Sequence, residues 1–152
     1  MATNTAGLAT SFKAEMLTAL HALGTTVVRA GTSADTLKAA LYFQGTGIGP
    51  ATTAYTSTGE VTGTGYSAGG ITVTNGTAPT TSGTTAYWTP SANISWSGLT
   101  ISSNFDAALI YNSTQTNRAI GVLTFAAQTI SAGTFSIAMP ANGPTTALLQ
   151  IN

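Results

Sequence analysis

Apolar positions along the chain follow two different rhythms. Between residues 9 and 23, Phe12, Met16, Leu20 and Leu23 recur at spacings of four, four and three, and Leu17 widens the stripe. That period belongs to one face of an amphipathic helix. Thr10 or Ser11 supplies a capping oxygen at its start, and Gly24 can take the left-handed conformation that closes it. Leu37 to Phe43 reads as a strand leading into the turn-rich 45–50, and after Pro50 the period falls to two, with β-branched and aromatic residues alternating with polar ones and turn residues about every ten positions. Strands are expected over 37–43, 71–74, 84–89, 94–101 with a break at Gly98, 107–112, 119–125, 134–139 and 146–151. Asn75-Gly76 and Asn142-Gly143 are turn dipeptides, because both residues tolerate positive φ. The pattern predicts a mainly β protein: an antiparallel β-sandwich, jelly-roll-like, with one N-terminal α-helix. The expected division is an N-terminal helical arm over 1–36 and a β-sandwich domain over 37–152.

Composition changes this picture in one respect, which is how such a body stays in water. Only 5% of residues are charged, with four Lys plus Arg, four Asp plus Glu and a formal net charge of zero, where soluble domains average about 25%. Thr (31), Ser (13), Ala (25) and Gly (17) together fill more than half of the 152 positions. Thr carries both a β-branch and a hydroxyl, so it can occupy a strand and face solvent without charge. Four dispersed cations exclude nucleic-acid binding by counterion release and membrane attachment through a basic face. No apolar run approaches the ~20 residues of a spanning helix. The N-terminal Met-Ala-Thr-Asn-Thr-Ala lacks the basic and apolar regions of a secretory signal, so synthesis in a cytoplasm is expected. Without Cys, stability must come from packing and strand pairing.

Candidate chemistry is sparse. The carboxylates Glu15, Asp35, Glu60 and Asp106 are scattered and show no spacing of an acid/base pair. His21 sits on the helix beside Leu20, where a lone histidine reads as a boundary residue. Gly45-x-Gly47-x-Gly49 runs into Pro50 rather than into a helix start, against a phosphate-binding loop. No enzyme activity, cofactor or metal is expected. The glycine-rich stretch 59–70 must either wrap closely against something or move until it does. Trp88, Trp96 and the tyrosines are divided by strand alternation between core and surface. On the surface they would anchor a subunit contact or stack on sugars.

Several strings then become informative together: Phe12 to Leu17, Leu37 to Tyr42, Thr53 to Gly70 with its Glu60-Val61-x-Gly63-x-Gly65-Tyr66-x-Ala68-Gly69-Gly70 core, Ala108 to Ser113, and Asn117-Arg118-Ala119. From about residue 10 to residue 150 the chain resembles a family of small virion structural proteins of tailed bacteriophages. The resemblance implies a β-sandwich that decorates, or cements, the exterior of an assembled capsid. Its expected partners are the major capsid protein and further copies of itself in a cyclic oligomer such as a trimer, with no nucleic acid and no membrane. The helix stripe and the glycine-rich loop are the expected docking elements, with Phe12, Met16, Leu20, Tyr66 and Trp88 as candidate contact residues. A head- or tail-borne adhesin that stacks exposed rings on host glycans is the alternative.

Overall fold

A computed structural model describes residues 2–9, 12, 20, 21, 23, 25, 34–83 and 85–151. The named elements are all strands: β1 (Gly7–Leu8), β2 (Leu37–Phe43), β3 (Ile71–Thr72), β4 (Thr80–Ser82), β5 (Thr85–Trp88), β6 (Ile94–Asn112), β7 (Arg118–Ile137) and β8 (Leu149–Ile151). They form two antiparallel sheets, one of five strands in the order β1-β7-β6-β2-β3 and one of three in the order β4-β5-β8. The mainly β reading is correct. The helix expected over 9–23 lies outside the described residues, apart from Ala9, Phe12, Leu20, His21 and Leu23. Residues 7 and 8 pair with Val122 and Gly121 of β7, which adds them to the large sheet.

The largest departure from the expected strands is their fusion. Segments 94–101 and 107–112 join into the 19 residues of β6, and segments 119–125 and 134–139 contribute to the 20 residues of β7. The residues between them carry few apolar side chains, which is why the alternation reads as interrupted. Ribbon pairing nevertheless runs from Asn112↔Arg118 to Ile94↔Ile137.

This ribbon is not straight. Phe125 and Phe135 lie in one strand, yet their ring centroids are 4.9 Å apart, where an extended strand would separate them by roughly 33 Å. The register shows how the ribbon folds back. From Ile101↔Ile130 to Phe105↔Gln128, β6 advances four residues against two, and from there to Ala107↔Thr124, β7 advances four against two. Further irregularities flank Leu99, near Gly98 (φ 66°) and Ala132 (φ 48°). Bulges of this kind bend and twist a ribbon at a corner. Inside the bend Phe105, Phe125 and Phe135 make a mutual cluster, and Trp96 stacks on Phe135 at 5.8 Å.

β2 lies against the proximal half of β6 with six consecutive pairs from Leu37↔Asn112 to Tyr42↔Ala107. Both faces of this central region are buried: Ala39, Ala40, Leu41, Tyr42, Ala107, Ala108 and Leu109 are fully inaccessible. Trp88 and Leu149 of the small sheet belong to the same core. At this centre Leu109→Ala should cost about 2–5 kcal/mol, and Phe105→Ala about 3–5 kcal/mol because it also empties the bend. Denaturant unfolding measures both, and an unchanged midpoint for either variant would contradict the packing described.

Candidate functional site

The glycine-rich segment, expected to mould onto a partner, instead closes the chain's own sheet. The amide of Phe43 donates to Gly59 O and that of Val61 to Leu41 O, so residues 59–61 extend the free side of β2. Past the end of β2 the segment reaches β6, where Thr100 N donates to Thr64 O at 2.9 Å. Close approach explains two of its glycines. A Cβ on Gly70 would stand 1.8 Å from Ala39 O and one on Gly65 2.3 Å from Gly98 O, and both residues have positive φ, at 66° and 77°.

Beneath this segment lies the most organised polar cluster. Glu60, 6% exposed, accepts hydrogen bonds from Tyr55 Oη (2.6 Å), Tyr66 Oη (2.7 Å) and the Gly69 amide (2.7 Å). Tyr66 Oη in turn accepts from the Leu41 amide, Tyr111 Oη donates to Gly69 O, and Tyr42 Oη donates to Thr56 O. The Tyr55 and Tyr111 rings stack at 4.9 Å. A buried carboxylate is tolerable only when its lone pairs are met by donors, and here three donors from one loop meet them. The arrangement pins residues 55–70 to β2 and β6. Both carboxylate oxygens are engaged, Oε1 by Tyr66 and Gly69 and Oε2 by Tyr55.

Burial raises the phenols above their ordinary value near 10. Desolvation is the main cause for Tyr42, Tyr55, Tyr66 and Tyr111, and the nearby Glu60 charge adds to it in each; Tyr55 is pushed up to about 12. The folded chain therefore keeps protons that the unfolded chain releases near pH 10. Stability from these groups is complete below that pH and is lost as pH rises through 10 toward 12 and beyond.

A second cluster joins residues remote in sequence. Asn112 Nδ2 donates to Asp35 Oδ2 (2.7 Å) and lies 3.1 Å from His21 Nδ1, while its Oδ1 accepts from the amides of Thr114 and Gln115. Gln115 Nε2 also donates to Asp35. These bonds hold the turn between β6 and β7, where Thr116 and Asn117 have positive φ. Asp106 accepts from Asn4 Nδ2, which ties the start of the chain to β6. Each described carboxylate is thus engaged in fixing a loop or terminus, and no group of three His, Cys, Asp or Glu residues able to hold a metal occurs among the described residues.

The candidate contact residues fall as follows. Phe12 is 1% exposed and edge-on to His21, and Trp88 is 1% exposed with Nε1 donating to Thr77 O. Both rings are buried in the chain's own core. Tyr66 is half-buried and committed to Glu60. Leu20 is half-buried, and Met16 lies outside the described residues. Trp96, at 3% exposure, is also interior. Glu60 and the Asn112 cluster were the important residues that sequence reasoning did not assemble. The one signal was a lone carboxylate between Tyr55 and Tyr66 in a stretch otherwise free of charge.

One apolar cavity and one groove complete the description. The cavity, 220 Å³, lies where Trp88 and Leu149 of the small sheet face Ile110, Ile120 and Val122 of the large one. The groove, 580 Å³, runs between residues 123–128 and 135–140, the two limbs of the folded β7 and the segment that follows it. Comparison with protein-family models, with curated proteins and with solved structures returned no match.

Two outcomes test the closed loop. Gly70→Ala should destabilise by about 2 kcal/mol or more, through strain at positive φ and collision with Ala39 O, and a thermal midpoint equal to wild type would refute the packing. An alkaline titration followed by tyrosinate absorbance should show a delayed, cooperative phase above pH 10 that coincides with unfolding. Ordinary titration of all tyrosines near pH 10 in a folded chain would contradict the burial.

Proposed function

We propose that this chain is a structural protein of a tailed-bacteriophage virion that decorates the exterior of the assembled capsid and stabilises it by bridging neighbouring capsid subunits. The observation that carries the reading is that Asp35, Glu60 and Asp106 each serve a hydrogen bond that fixes a loop or terminus. A body organised in this way is built to hold its shape, and its described carboxylates are used for that purpose. The segment on which the resemblance to small phage virion proteins is drawn, Glu60 to Gly70, is the same segment that closes the sheet in this chain.

In this reading the two sheets are the layers of a jelly-roll-like sandwich, which the cavity lined from both sheets supports. The chain acts as a homo-oligomer, a trimer, on the capsid surface, and neither catalysis nor a cofactor enters its role. Modest contacts repeated over many equivalent positions are sufficient to stiffen a shell.

Quantitative protein analysis of purified virions of the phage that encodes this chain tests the proposal. The expected abundance is comparable to that of the capsid protein, whereas recovery only with tails, or at tens of copies or fewer, would overturn it. Attachment to emptied shells should also change little between low and high salt, because a chain with 5% charged residues offers few pairs to screen. Release by moderate salt would contradict this mode of attachment.

A further inference from the structure

We propose that the open edge of β7 over residues 134–137, with the apolar groove beside it, receives an extended, uncharged strand from the protein on which this chain docks, by antiparallel β-addition. The identity of that protein, a capsid subunit, rests on the function proposed above. The geometry of the site does not.

The inner edge of β7 pairs with β6 along its length. Among the described residues its outer edge is occupied only near its start: the amide of Ala119 donates to Thr53 O, that of Ala9 to Ile120 O, and β1 covers Gly121 and Val122. From residue 124 to residue 137 no backbone hydrogen bond among the described residues engages that edge. The same 14 residues contain no Lys, Arg, Asp, Glu or Pro, although charge and Pro are the usual protections of an exposed strand edge. Bulges interrupt the register at 125–127 and near Ala132, but Phe135, Ser136 and Ile137 pair regularly with Trp96, Ser95 and Ile94. Beyond the bulge, residues 135–137 therefore present on that edge backbone donors and acceptors with no backbone partner among the described residues, and Thr134 lies at the bulge beside them.

The groove makes this edge selective. Phe135, Ile137 and Met139 line one side, Leu123 and Phe125 the other, and none of the residues around it is charged. An incoming strand would satisfy the edge with its backbone and place alternate apolar side chains in the groove. A charged segment would lose hydration there with no counter-charge to meet it. β1 already shows this mode of attachment, since its two residues add antiparallel to the same edge of β7 a few positions upstream.

Backbone hydrogen exchange, measured on the free chain and on the chain bound to capsid shells of its phage, tests the inference together with two substitutions. Ala126→Lys places an ammonium group at the exposed wall of the groove, and Thr81→Lys places one on β4. Support consists of alternate amides of 134–137 exchanging at least about tenfold more slowly on shells, about tenfold or greater loss of attachment for Ala126→Lys, and unchanged attachment for Thr81→Lys. Shell binding with unprotected 134–137 amides and a fully active Ala126→Lys variant would overturn the inference and leave the decorating role standing. Protection already present in the free chain, with sedimentation as an oligomer that Ala126→Lys dissolves, would show a second copy in the groove and overturn the proposed occupant. Failure of the wild-type chain to bind shells would overturn the decorating role and this inference with it.

Discussion

The fold depends on one long antiparallel ribbon and on the bend that makes it compact. Twenty residues of straight strand would reach roughly 65 Å, whereas a domain of this length has a radius of gyration of about 15 Å. The bulges between Trp96 and Ala107 on β6, with their counterparts on β7, resolve that conflict by doubling the ribbon back on itself. Phe105, Phe125, Phe135 and Trp96 then fill the angle. Every other strand of the large sheet attaches directly or indirectly to this ribbon, β2 and β3 on the β6 side and β1 on the β7 side. The groove is a consequence of the same bend, because the two limbs of β7 face each other across it.

A chain with so few charges uses them differently from an ordinary soluble domain. Glu60 and Asp35 are buried, and both oxygens of each accept hydrogen bonds. Threonine and serine are frequent among the exposed described residues. Such a surface is soluble but offers little long-range repulsion between molecules, and an uncharged open edge on it is a place where another strand can add.

Much of the fold was legible because alternation reports which residues share a sheet face. Residues 94–101 of β6 follow it, with Ile94, Trp96, Leu99 and Ile101 buried between exposed neighbours, whereas β2 and the 107–112 and 119–122 stretches are buried on both faces and read as continuous apolar runs. Alternation says nothing about the path of a ribbon. The fusion of four expected segments into two long strands depends on contacts such as Phe125 with Phe135, which no local pattern encodes. The short β1 and β4 were invisible because they have almost no apolar signal of their own: β1 is held by pairing with the distant β7, and β4 by a local hairpin with β5. Glycine content marked residues 59–70 as unusual, but the choice between a mobile loop and a close approach depended on Ala39 and Gly98, carbonyls remote in sequence. The His21, Asp35 and Asn112 cluster joins three separate parts of the chain and had no signature in any one of them.

The central claim is that a rigid, neutral β body attaches to a capsid as a repeated structural element. Electron cryo-microscopy of the intact virion tests it most directly, since it shows both the location of the chain and the surface by which it is held. The account predicts density for this chain on the outer face of the shell at every equivalent position, touching adjacent capsid subunits. Density confined to the tail, or none on the capsid exterior, would contradict it.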